Sequence, residues 1–298
     1  MNKKVYDIIC IGNYTKDTIV NPSGVSYVDG GAVNYSAHAA ARLGHSVAAV
    51  THLAEEDHRV VEKFIEAGID CFPTFTPHST NMCLEYPTSN PDIRTLSVTA
   101  TAGSITASEV EDLQAKSAVI GPSIRGEVGL DVIKCLKEKN ILVAADVQGY
   151  IRVIRDQILV NETWDEMPEY LALIDVLKSD AVEAEFLTGE SDIYKAADKF
   201  LELGPKEIVL THKEGVLIYA DGQFYDRTFY PENMTGRSGR GDTCVGTYLS
   251  MRLHKTPQEA SIWAAAVTSL KMENAGPFSR TLAEVEELIT KRYNGVVT

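Results

Sequence analysis

The residues best suited to chemistry lie in one run, Gly236-Arg-Ser-Gly239-Arg240-Gly241-Asp242-Thr243-Cys244-Val245-Gly246. Three glycines precede a helical pattern with Val245, Tyr248 and Leu249 on one face. A glycine-rich turn feeding a helix presents backbone N–H groups and the positive end of the helix dipole, so it attracts an anion. A Walker loop would continue Gly-Lys-Ser/Thr, but this chain continues Gly241-Asp242-Thr243. Lysine clamps a phosphate, whereas a carboxylate beside one is repelled. An aspartate has a reason to be there if it takes the proton from a hydroxyl attacking the bound phosphoryl group. Simple capping of the helix by Asp242 explains this segment as well when it is taken alone.

A second glycine turn, Asp29-Gly30-Gly31-Ala32-Val33-Asn34, enters a helix rich in small residues: Ala37, Ala39, Ala40 and Ala41. Small residues allow close packing beneath a pocket. Asn34 falls in the first turn, where its amide offers a donor and an acceptor to a polyol hydroxyl. A tight turn with a cap is the plainer reading of the same residues.

Both turns need a scaffold. Runs rich in Val and Ile at 5–12, 46–53, 118–121, 140–146 and 207–211 read as strands buried on both faces, which implies a mostly parallel sheet covered by helices. Capping boxes at Thr106–Glu109, Thr256–Glu259 and Thr281–Glu284 open helices, the first expected to run to about Ala115. Val60, Val61, Phe64 and Ile65 form an apolar stripe that Gly68 ends. Two polar stretches, 13–31 and 72–103, break the alternation and read as short antiparallel strands. The expected architecture is one α/β domain over 1–298, with a β flap built from those stretches.

Composition narrows the classes. The chain has 298 residues, 44% hydrophobic and 23% charged, an ordinary globular balance. Its 42 acidic and 28 basic residues give a net charge of −14, which argues against a nucleic-acid partner. No apolar run approaches the roughly 18 residues of a membrane span, and the short run Ile8-Ile9-Cys10-Ile11 fits a first strand better than a signal peptide. Five cysteines without a CxxC pair suit a reducing cytoplasm rather than a disulfide framework. Sequons at Asn13, Asn34, Asn161 and Asn233 read as chance matches.

Gly239-Arg240-Gly241-Asp242-Thr243, with Gly30-Gly31-Ala-Val-Asn34 through Leu43-Gly44 far upstream, resembles the two signatures of the PfkB (ribokinase-like) carbohydrate kinases. The resemblance implies a Rossmann-like three-layer α/β/α core with a β-sheet lid. It also implies an ATP- and Mg²⁺-dependent kinase acting on a hydroxyl of a small acceptor, as a monomer or homodimer. By position, Asp242 resembles the catalytic base, and the backbone of Gly239, Arg240 and Gly241 the anion hole. Asp17, Gly30, Gly31, Asn34, Arg152 and Arg240 resemble acceptor contacts. Lys178, Thr211, Lys213, Gly215, Gly239, Gly241 and Asn274 fall at nucleotide positions. Glu183 and Asp180 match the stretch that organises magnesium, with Asp180 where the family has asparagine. Lys213 stands where the nucleotide loop usually has glycine, and that loop is one residue shorter.

Gln148-Gly149-x-x-Arg152 and Lys271–Phe278 resemble a subgroup of inositol kinases and archaeal kinases, including mevalonate 3-phosphate 5-kinase. A myo-inositol-type polyol is the favoured acceptor, with an already phosphorylated small acid as the alternative. A non-catalytic sugar or nucleotide sensor has no use for Asp242. A Rossmann dehydrogenase would need GxGxxG after the first strand, where this chain runs Gly12-Asn-Tyr-Thr-Lys-Asp17.

Overall fold

The computed structural model describes residues 4–88 and 94–293. The chain opens with β1 (Val5–Ile11), a hairpin of β2 (Thr15–Asn21) and β3 (Gly24–Gly30), and helix α1 (Ala32–Arg42). β4 (Val47–Ala54), α2 (Arg59–Glu66), β5 (Asp70–Thr76), β6 (Thr80–Glu85) and β7 (Thr95–Ala100) follow. The middle holds β8 (Gln114–Ile120), α3 (Leu130–Glu138), β9 (Leu142–Asp146), the short α4 (Gln148–Ile151), β10 (Arg152–Arg155), β11 (Ile158–Asn161) and α5 (Met167–Leu171). Then come β12 (Val176–Asp180), α6 (Ala181–Thr188), α7 (Ile193–Leu201), β13 (Glu207–Thr211), β14 (Gly215–Ala220) and β15 (Gln223–Thr228). Helices α8 (Arg240–Arg252), α9 (Pro257–Met272) and α10 (Leu282–Arg292) complete the described residues.

Nine strands form a large sheet in the order β15-β14-β13-β12-β9-β8-β1-β4-β5, parallel from β13 to β5. The pairings of β14 with β13 and with β15 are antiparallel, so β14 runs against the other strands of this sheet. Alternation along β1 explains the three layers. Ile8 and Cys10 enter the core under α1, α8 and α9, while Ile9 and Ile11 enter the core on the opposite face. The expected α/β/α architecture is present.

The second sheet has six strands, β10-β11-β7-β6-β2-β3, over a small core of Met82, Leu84, Val98 and Ile124. It differs from the expected flap in three ways. β5, which takes up the start of the stretch 72–103, joins the large sheet as an edge strand, a place that tolerates Pro73. β10 and β11 extend the small sheet instead. β2 and β6 run parallel, not antiparallel.

Residues 89–93 of that stretch lie outside the described residues. The capping box at Thr106 is real, but it opens one turn of 3-10 helix, Ala107–Glu109, not a helix to Ala115. Pairing of Gln114 with Val5 starts β8 there, and burial of Val110 and Leu113 in the core outweighs local helix preference.

α8 carries the Gly239 turn and is embedded between α1 and α9, with every residue from Thr243 to Met251 buried. Its contact with α1 is close: a Cβ on Gly246 would lie 2.6 Å from the Ser36 Cβ. The small-residue pattern of α1 therefore serves helix–helix packing.

Candidate active site

Parallel strands bring their carboxyl ends to one edge, where open α/β sheets bind ligands. β9 ends there in Asp146, β12 in Lys178 and Asp180, and β13 in Thr211. The N-terminus of α8 faces the same edge. Between them lies a cavity of about 600 Å³ walled by β-strand ends, the α6 N-terminus, the 212–214 loop and the Gly239 turn. Tyr86 and Arg94 line it from the small sheet.

The Gly239 turn is built as its residue types demand. Gly239 caps α8 at φ 74°, and a Cβ there would lie 2.2 Å from the Tyr35 ring. A Cβ on Gly241 would lie 2.6 Å from Lys178 Cε. No side chain caps α8, so capping does not account for Asp242. Burial raises the Asp242 pKa, opposed by the Lys178 and Arg152 cations.

A web of charge surrounds it. Lys178 Nζ donates to Asp146 Oδ2 at 2.7 Å and lies 3.9 Å from Glu183 Oε2. Burial works against the Lys178 ammonium, but Asp146, Glu183 and Asp242 outweigh it and hold the pKa above the usual lysine value. Asp180 and Glu183 form a reciprocal capping box on α6: Glu183 N–H donates to Asp180 Oδ1, and Asp180 N–H to Glu183 Oε2. Glu183 is buried, not part of a solvated helix face. Its Oε1 is buried without a hydrogen-bond partner and lies 3.7 Å from Arg152 Nη2. Burial, only partly offset by Lys178, pushes the Glu183 carboxyl up to about 7. An orphaned carboxylate oxygen beside a second carboxylate suits a hydrated divalent cation, so Glu183 and Asp180 fit Mg²⁺ held through water.

The cavity contains six cations, Arg94, Arg152, Lys178, Lys213, Arg237 and Arg240, against three carboxylates, Asp180, Glu183 and Asp242. Thr211 lines it as well. Gly215 and Asn274 do not line it. Gly215 sits inside the β14–β15 ladder, and the Asn274 carbonyl abuts Gly236.

The other expected contacts cluster around Asp17, outside the residues lining the cavity. Asp17 Oδ1 is buried without a partner, and burial pushes the carboxyl up to about 6. A Cβ on Gly30 would meet Asp17 Oδ2 at 2.3 Å, which explains the glycine. Gly31 caps α1 at φ 93°. Asn34 Nδ2 donates to the Asp29 carbonyl at 2.9 Å, so its amide already has a structural use. Asp29 itself takes hydrogen bonds from Arg59, Lys63 and Tyr14, tying the β2–β3 hairpin to α2.

Three residues, Tyr35, Arg94 and Asn161, carried no sequence signal, and Asp146 was legible only as the end of a strand at the ligand-binding edge. Tyr35 presents a buried hydroxyl without a partner, and after burial its raised pKa owes most to Asp17 and Asp242, so one phenol feels both carboxylates. Asp146 partners Lys178. Arg94 and Asn161 line the cavity, and the Asn161 sequon gave no hint of that.

The pfkB family carbohydrate kinase model matches residues 4–280. A cytidine kinase of Thermococcus kodakarensis is 26% identical over 266 residues, covering 86% of this chain and 92% of its own. A pyrophosphate-dependent kinase in the ribokinase family, solved as a sulfate complex, superposes with a TM-score of 0.87 at 32% identity, over 94% of this chain and 99% of that one. A pyrophosphate-dependent kinase in the ribokinase family, complexed with a pyrophosphate analog and myo-inositol, gives 0.87 at 30% identity with the same coverage. The glycine turn without a side-chain cap, the sheet edge and these matches agree: the chain belongs to the pfkB family of carbohydrate kinases, and it is a phosphotransferase.

Proposed function

We propose that the protein transfers a phosphoryl group from inorganic pyrophosphate to a hydroxyl of a neutral polyol of the myo-inositol class. The supporting observation is the concentration of six cations in one cavity of a chain with net charge −14. Pyrophosphate has no base or sugar to bury, so its affinity must come from charge. Lys213, in place of a glycine, adds charge where a nucleotide loop needs backbone approach. ATP, the donor expected from the sequence, is the second reading. It is favoured by the exposed Val182 beside Ala181 at the rim, which offers a base an apolar shelf.

In either case the acceptor oxygen attacks the terminal phosphorus as the bond to the leaving group breaks, releasing phosphate from pyrophosphate or ADP from ATP. Asp242 takes the hydroxyl proton, and the N–H groups of Gly239 and Gly241 receive the transferred charge; the Arg240 N–H, expected from the sequence to join them, donates instead to the Arg237 carbonyl at 3.3 Å. Asp17 accepts a hydrogen bond from a second acceptor hydroxyl and orients it. Mg²⁺, held through water by Glu183 and Asp180, would neutralise donor charge. The small sheet, through Tyr86 and Arg94, closes the cavity against water.

The test is a donor-by-acceptor panel: pyrophosphate and ATP against myo-inositol, cytidine, and phosphorylated small acids. Phosphorylated inositol formed faster from pyrophosphate is the expected result. Faster turnover with ATP selects the second reading, and turnover only of phosphorylated acids overturns the neutral acceptor.

A further inference from the structure

One buried cation is absent from the mechanism above. Lys271, in the last turn of α9, is 1% exposed. Its Nζ donates to the Gly236 carbonyl at 2.7 Å and to the Ser238 carbonyl, and it sits 5.0 Å from the centre of the Tyr35 ring. Lysine is seldom fully buried without a carboxylate partner. Here its hydrogen-bond partners are two main-chain oxygens.

Those oxygens belong to the strand-to-helix connection that enters α8. The peptide group is planar and trans, so a C=O and the following N–H point in opposite directions. The Ser238 carbonyl and the Gly239 N–H share one peptide plane. Drawing the Ser238 oxygen toward α9 therefore turns the Gly239 N–H away from α9, toward the cavity. The connection is pinned nearby as well: Thr235 N–H and Gly236 N–H donate to the Met272 carbonyl at 3.1 and 2.9 Å. Without a cation, the buried Gly236 carbonyl and the part-buried Ser238 carbonyl would be left to find donors, and the peptide planes that carry them would rotate.

We propose that Lys271 is a positioning residue for phosphoryl transfer: its ammonium clamps the Gly236 and Ser238 carbonyls and so aims the Gly239 N–H at the transferred group. The role rests on the phosphoryl position of the proposed function. Its charge state adds a readout. The groups facing the ammonium are Asp242 on α8 and the Tyr35 ring on α1. Arg237 lies in the clamped connection, Arg240 at the start of α8, and Glu273 follows on the chain after α9. Burial lowers the Lys271 pKa to about 8, against the pull of Asp242. Below pH 8 the clamp is cationic; above it the neutral amine binds carbonyls more weakly.

The experiment compares wild type with Lys271→Met, nearly isosteric and uncharged, using the donor and acceptor that turn over. Expected are a kcat at least tenfold lower, an acceptor KM within twofold, and a wild-type to variant kcat ratio that shrinks between pH 7 and 9. Calorimetric binding of pyrophosphate and ATP, which needs no turnover, should show the bound polyphosphate held at least threefold more weakly by the variant at pH 7. A kcat within twofold of wild type, or a ratio constant with pH, overturns the role. If Lys271→Met does not fold by circular dichroism, Lys271→Gln replaces it. That variant keeps uncharged N–H donors and should show the same pH-dependent ratio with a smaller loss. A wild type that binds a polyphosphate but transfers it to nothing overturns the proposed function alone, and binding then decides the role of Lys271. Failure to bind either polyphosphate overturns both.

Discussion

The molecule contains two glycine turns of the same design, and they end differently. Gly31 and Gly239 both take a positive φ, both cap a helix without a side-chain hydrogen bond, and their helices pack against each other. At the α1 turn the first-turn polar residue, Asn34, is bonded to the Asp29 carbonyl, and Asp29 is held by Arg59, Lys63 and Tyr14. At the α8 turn the first-turn carboxylate of Asp242 takes no cap bond, and cations surround it. One turn uses its first-turn amide on its own backbone. The other does not use its first-turn carboxylate as a cap.

The contrast is broken most directly at Asp242. Asp242→Asn is nearly isosteric and should lower kcat by 10²–10⁴-fold, the usual worth of a general base, while the melting temperature stays near wild type. A variant with more than a tenth of wild-type kcat would return Asp242 to the structural class. Asp17 gives the next largest effect. Its carboxyl, pushed up to about 6 by burial, is protonated below that pH. Acceptor kcat/KM should therefore fall more steeply below pH 6, and Asp17→Asn should lower it at all pH values and remove that added steepness, leaving only the limb that belongs to Asp242 and Glu183. An unchanged acidic limb in that variant removes Asp17 from the acceptor site.

Arg240→Ala should raise the donor KM about tenfold, more at low salt than at high, and leave a neutral acceptor's KM within twofold. The reverse pattern, an acceptor KM that moves alone, would favour an anionic acceptor. Glu183→Gln should raise the Mg²⁺ concentration for half-maximal rate several-fold, since charge is what orders metal-bound water. An identical Mg²⁺ titration would leave Glu183 as a helix cap only. The smallest effect belongs to the satisfied turn. Asn34→Ala should cost about 1 kcal/mol of stability in urea unfolding, the worth of one hydrogen bond, with a modest change in kcat. A large kcat loss at wild-type stability would show that Asn34 serves the ligand and not the turn.

Sequence patterns carried unequal parts of this. Asp242 and its glycines were legible because a carboxylate at a phosphate-seeking helix start conflicts with local electrostatics. The central strands were legible because both faces are buried. β12 was not, since its exit carries Lys178 and Asp180, whose charges are compensated by Asp146 and Glu183 and by the α6 capping box. Tyr35 was invisible for a related reason. It reads as a helix residue of α1, and only tertiary packing lays its ring on Gly239. The 3-10 turn after Thr106 shows the converse, a correct local signal cut short by strand pairing.

The close seating of Gly246 on Ser36 has a mechanical consequence. With no room for a methyl group between them, α1 and α8 behave as one rigid gauge block, and the spacing between their two turns is set by that joint, not by the molecule bound. Under the proposed function, a polyol would offer a different hydroxyl to Asp242 only by rotating within a fixed gap. Regiochemistry would be written in the walls that limit rotation, on the small sheet, while the gauge itself stays the same for every acceptor.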